Sequence, residues 1–230
     1  MFSNYLKYFT ALLLTVTFST AVAADEQLSK IEKAYQAVDA ATLTTLIEAA
    51  QGNNQFVAQY RLLSLKMGSN QMDQAHSLLT KLKSDLEAET KANPGNAEAW
   101  ALLSSTYGML TTMEQDKVME YGRKSGEAEG QALAAGWENP MVMLLTGINK
   151  FYTPEEWGGG KAKALEYFDR AVTAYEAGTL DRAWGHADAL VWRGTTHAEL
   201  GDITKAKADI NSALAMEPDY QWAKNALGNL

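Results

Sequence analysis

The sequence predicts an all-α fold made of recurring helix pairs, and three observations predict it. First, apolar residues fall at helical spacing: Ala75, Leu78, Leu79, Leu82 and Leu86 form one stripe while Lys81, Lys83, Asp85 and Glu87 cover the rest, so Gln71 to Lys91 reads as one long amphipathic helix. Second, turn signals punctuate the chain at Asn93-Pro94-Gly95-Asn96, Asn139-Pro140, Gly201-Asp202 and Pro218. Third, a small residue recurs inside a helical run at Ser104, Gly147 and Gly194, with Arg61 at the matching place upstream, in steps of 43, 43 and 47 residues.

Taken in chain order, residues 1–24 read as a secretory signal, with Lys7 in the n-region, an apolar run from Tyr8 to Phe18, and Ala21-Val22-Ala23-Ala24 as the small-residue cleavage site. That run is shorter than the roughly 20 residues needed to span a bilayer. Residues 25–230 are therefore expected to form one soluble domain in the periplasm, or secreted. Its first unit carries Arg61, Gly68, Ala75 and Leu79; the second follows the turn at Asn93 to Asn96 and carries Trp100, Leu103, Ser104 and Tyr107. The third opens after Asn139-Pro140, with Gly147 in its first helix and Ala164, Phe168 and Ala171 in its second. In the last, Gly194 lets the second helix come close, and Ala206 faces it for the same reason, with Ile210 and Ala213 along the same stripe. Gly201 ends the first helix in a left-handed conformation, Asp202 caps the next, and Pro218 closes the unit. Tyr220 to Leu227 reads as a helix capping the stack.

The run Leu190-Val191-Trp192-Arg193-Gly194-Thr195-Thr196-His197, continued through Gly201, Ala206, Ile210, Ala213 and Pro218, resembles one tetratricopeptide unit. Leu190, Arg193 and His197 stand where that family usually has tryptophan, leucine and tyrosine, whereas Trp100, Leu103 and Tyr107 supply the pattern in the second unit. The period exceeds the family's usual 34 residues and matches the roughly 40–47 of HEAT and armadillo repeats, but alanine-x3-phenylalanine in the second helix is specific to tetratricopeptide units. The extra residues are assigned to longer second helices and loops. The resemblance implies a right-handed α-solenoid of about four antiparallel pairs with a concave surface and a C-terminal capping helix. Thr153-Pro154 with Gly158-Gly159-Gly160, and Tyr121-Gly122-Arg123-Lys124-Ser125 upstream, are similar to segments of uncharacterised secreted bacterial proteins of this family.

Composition excludes several classes. With no cysteine there is no disulfide, thiolate metal site or lipid-anchored N-terminal cysteine. The net charge is −8, and loss of Lys7 with the signal leaves 19 bases against 28 acids, a balance that opposes nucleic acid and anionic lipid. His76, His186 and His197 are the only imidazoles, and His186 and Asp188 point to different sides of a helix, so no metal or cofactor is expected. No nucleophile elbow is present, and Glu155-Glu156 alone do not make an acid–base pair. Gly158-Gly159-Gly160-Lys161 lacks the nucleotide-loop pattern. A structural loop with Trp157 tucked against the helix pair is expected there. Trp137 and Trp184, near turns between units, are candidates for exposure.

The expected function is a non-catalytic protein-interaction scaffold. The resemblance places the first helices on the concave face, so its candidate residues are Glu98, Ala101, Ser105 and Met109; Met141, Leu144, Ile148, Phe151 and Tyr152; and Asp188, Val191, Thr195 and Glu199, with Trp157 as a possible loop contact. None is a lysine, arginine or asparagine, so the family's clamp for acidic C-termini is absent. An apolar centre with acidic flanks calls for a protein or peptide partner that is apolar with basic flanks. Packing of Leu144 and Ile148 between units, a small-molecule or peptide receptor with Trp157 or Trp137 as an aromatic wall, and a homodimer closing on the concave face are the alternatives.

Overall fold

The computed structural model describes residues 23–178 and 184–230. Among them are eleven α-helices and no strand: α1 (23–36), α2 (Ala40–Ala49), α3 (Asn53–Gly68), α4 (Met72–Ala92), α5 (Ala97–Met113), α6 (Val118–Gly136), α7 (Pro140–Tyr152), α8 (Lys161–Glu176), α9 (His186–Glu199), α10 (Ile203–Met216) and α11 (Gln221–Gly228). Consecutive helices pair as hairpins, and each second helix also packs against the first helix of the next pair. The odd-numbered helices also touch one another from pair to pair, α3 with α5, α5 with α7 and α7 with α9, and so form the inner layer of the stack. α11 covers the last pair, as the sequence reading requires.

The boundaries follow from capping chemistry. Asn96 accepts from the Ala99 amide, Asn139 from that of Met141 with Pro140 at the first helical position, and Asp202 from that of Lys205. Gly201 ends α9 at φ +88°, the left-handed conformation expected of it. The stripe of α4 is buried at Ala75, Leu79, Leu82 and Leu86. Close approach within pairs sits where small residues predict it. A Cβ on Gly194 would lie 2.9 Å from Ile210 and 3.0 Å from the Ala206 carbonyl, and one on Gly147 would lie 2.5 Å from the Phe168 ring.

Two expectations need correction. Among the described residues the helices form five pairs, not about four, because α1 and α2 stand ahead of the pair containing Arg61, tied by a Gln27 to Ala49 hydrogen bond. Trp157 is the second: it is not tucked in but 60% exposed, on a short 3-10 turn. The secretory reading falls largely on residues 1–22, outside the described residues, whereas Ala23 and Ala24 belong to α1, and the Ala24 carbonyl accepts from Asn54 at 2.8 Å.

A closed concave face as the candidate functional site

Tight coiling brings the first pair back to the last one, and Arg61 on α3 joins them. Its guanidinium, 3% exposed, binds Glu32 of α1 through both carboxylate oxygens at 2.8 and 2.6 Å and pairs with Asp188 at the start of α9. The same group lies 4.1 Å from the centre of the Tyr35 ring and 4.7 Å from that of Trp184, so it meets two aromatic faces as well as two carboxylates. Trp184 donates its indole N–H to Glu98 of α5 at 2.9 Å and packs against Tyr60. The Gly185 amide donates to Glu32, Tyr220 to Asp188, and Tyr175 to the Trp184 carbonyl.

Electrostatics follow from this burial. Removal from water raises the Glu32 carboxyl above its ordinary range, against the opposing pull of Arg61. Burial alone would lower the Arg61 pKa, but Asp188 and Glu32 outweigh it and hold the guanidinium more firmly protonated than usual. Burial pushes the Tyr60 hydroxyl up to about 12 and raises Tyr35, Tyr175 and Tyr220 as well, so these phenols stay neutral.

This hub divides the expected face. Glu98, Ala101, Ser105, Met141, Leu144, Phe151, Asp188 and Val191 are buried, Glu98 and Asp188 through their contacts in the hub. Met109, Ile148 and Thr195 are half-buried, Glu199 is exposed, and Tyr152 is 71% exposed. The buried part includes the starts of α5, α7 and α9; the part open to solvent, a mouth, lies around Tyr152 and Glu199 at the ends of α7 and α9. Aromatic rings connect the two, running from Tyr152 to Trp192 (5.9 Å between centroids), Trp222 (5.0 Å), Tyr220 (6.0 Å) and Tyr35 (6.1 Å). Beside the mouth Lys161 sits 3.0 Å from the Phe151 ring centre and donates to the Phe151 carbonyl, and burial lowers its pKa.

The glycine loop is accounted for locally. Gly160 donates to the Lys150 and Thr153 carbonyls at 2.9 Å, so its amide satisfies the end of α7 instead of facing an anion. Of the two tryptophans expected near turns, Trp137 is exposed and Trp184 is buried. Among the described residues, no three His, Asp or Glu side chains are placed to hold a metal ion.

The residues that sequence reasoning missed are Glu32, Tyr35 and Trp184 as partners of Arg61, which the repeat spacing matches to the small-residue position. One signal pointed there: Arg61 is the only charged residue between Phe56 and Leu65 in an otherwise largely apolar run.

Compared with solved structures, the chain superposes on a thermophilic tetratricopeptide protein of Thermus thermophilus, TTC0263, with a TM-score of 0.60 over 90% of this chain and 97% of that one at 14% identity. The fold is a tetratricopeptide-repeat solenoid. Fainter likenesses are to MamA (TM-score 0.46, 16% identity, 68% of this chain and 79% of that one) and to the HusA haemophore of Porphyromonas gingivalis (0.49, 24%, 78% and 93%). Over 51 residues, 22% of the chain, the sequence is 45% identical to FK506-binding protein-like of Rattus norvegicus and of Mus musculus. The chain spans 15% of the length of those curated relatives. No family model matches the sequence. Among the described residues of the solenoid, no helix is long and apolar enough to cross a membrane.

Proposed function

We propose that this solenoid is a non-catalytic protein-interaction module, exported to the periplasm or beyond by residues 1–24, that takes a partner segment at the open mouth of its concave face. The observation that carries the reading is Tyr152: a large ring, 71% exposed, held on Trp192 and Phe151 at the end of an inner helix. Ring-on-ring support fixes that surface before any partner arrives, which lowers the ordering cost of binding. Ile148, Met109 and Thr195 extend the mouth and Glu199 edges it, so the fitting partner is an apolar segment with a basic flank.

Tyr152→Ala is expected to leave helical circular dichroism unchanged and to weaken capture of the main crosslinked partner at least tenfold, since truncating an exposed aromatic anchor removes contact area without opening the core. Equal capture by the variant would move the binding surface elsewhere, with the Trp157 loop next to be tested.

Export has its own test. Mass spectrometry of the native protein released by osmotic shock is expected to find the N-terminus at Ala24 or Asp25. An intact Met1 in the membrane fraction would contradict it.

A further inference from the structure

The sealed part of the concave face is filled by a short piece of the chain, and that piece has a definite chemistry. Trp184 supplies an indole to Tyr60 and Arg61 and an N–H to Glu98; four residues on, Asp188 supplies a carboxylate to Arg61. These contacts cross sequence separations of 86 (Trp184 to Glu98) and 153 (Gly185 to Glu32), so they join units that are not neighbours in the stack. The backbones of α9 and its inner neighbour α7 approach only sparsely, and Trp192 bridges them through Phe151 and Tyr152. The place of α9 against the rest of the stack is set by α8, by that ring cluster and by the hub, while α10 packs on it as its hairpin mate. Within the segment Gly185 stands at positive φ (+85°), and it fits because it lacks a Cβ, which would lie 2.6 Å from Leu144.

We propose that the face around Arg61 is a docking site for a protein segment carrying an aromatic residue followed four positions later by an acid, and that Trp184 to Asp188 holds it shut in cis. Resting on the reading of the concave face as the binding surface, this gives that face a second anchor, separate from the mouth at Tyr152 and selecting an acid where the mouth selects a basic flank. Arg61 is the group that makes the choice. It faces Glu32 from α1, Asp188 from α9 and the Tyr35 and Trp184 rings, and it offers a bidentate fork to Glu32, leaving one further edge for an incoming carboxylate in place of Asp188. A shut site lowers the apparent affinity by the fraction of time it is open, so the wild type should bind weakly and an opened variant well.

The full chain has no cysteine, so Lys33→Cys on α1 and Lys224→Cys on α11, both at exposed positions, can carry a dye pair across the closure. The probe is a capped peptide of residues 184–190. In Trp184→Ala, and separately in Gly185→Ala, energy transfer is expected to fall, and the peptide is expected to bind at least tenfold more tightly than to the wild type. Peptides carrying Trp184→Ala or Asp188→Asn should lose that gain, a control that leaves the protein untouched. Unchanged transfer with no peptide binding overturns the proposal, as does binding indifferent to the two peptide changes. Unfolding of both variants also overturns it, because a closure that cannot open short of unfolding is core. In any of these cases, a chain that still captures partners through Tyr152 keeps the mouth reading and loses only this one.

Discussion

Arg61→Ala is expected to lower stability by about 3–5 kcal/mol, the usual cost of breaking a buried ion pair from one side. Glu32 and Asp188 would lose their shared cation, and the Tyr35 and Trp184 rings would lose the guanidinium packed on each of them. For a chain of this length the midpoint of thermal unfolding should fall by about 6–20 °C. Acid should relieve the defect. Glu32 already has a raised pKa from burial, so its contribution favours the fold below that pKa and is lost as pH rises through it; without Arg61 the pKa rises further. The deficit against wild type is therefore largest near neutrality and shrinks on acidification. Adding Glu32→Gln and Asp188→Asn should recover part of the loss at neutral pH. Denaturant melts across pH check all of this, and a deficit independent of pH would mean that packing, not charge, is what Arg61 contributes.

Gly147→Leu should have the next largest effect, about 3 kcal/mol. Even a methyl group here would meet the Phe168 ring at 2.5 Å, and that ring is fully buried and stacked on Trp192. α7 and α8 would have to separate, carrying the Phe151 and Trp192 contacts with them. The control lies in the same fold. A Cβ on Gly126 in α6 would meet nothing within 4 Å, so Gly126→Ala should stabilise by about 0.5–1 kcal/mol through helix propensity alone. Thermal melts that show the two substitutions acting alike would undo the assignment of Gly147 as a contact point.

What the sequence discloses is governed by range. Gly194 against Ala206 and Ile210, Gly147 against Phe168, the Gly201-Asp202 turn and the α4 stripe all express one helix or one hairpin, where spacing maps directly onto contact. The first pair escapes because α2 buries only Leu43 and carries no small-residue mark, while α1 adjoins the apolar segment that reads as a signal. The candidate site was half legible for a different reason. Its residues do lie on the inner helices, but whether that surface is open depends on how far the coil turns. No local pattern encodes the meeting of Glu32 with Arg61 or of Arg61 with Asp188.

Tying the ends together changes how the molecule must fold. In an open array each unit leans only on its neighbours, so terminal units fray first and stability grows step by step with their number. Here the bonds from Glu32 to Gly185 and from Arg61 to Asp188 give the array a long-range loop. Such loops slow folding, because chain entropy must be surrendered before the distant contact forms. Early pairs can assemble as the chain emerges, but Arg61 stays without one of its carboxylates until α9 exists. Amide exchange should accordingly show α1 and α9 protected to similar degrees, and deletion of α9 to α11 should loosen α1 at the far end.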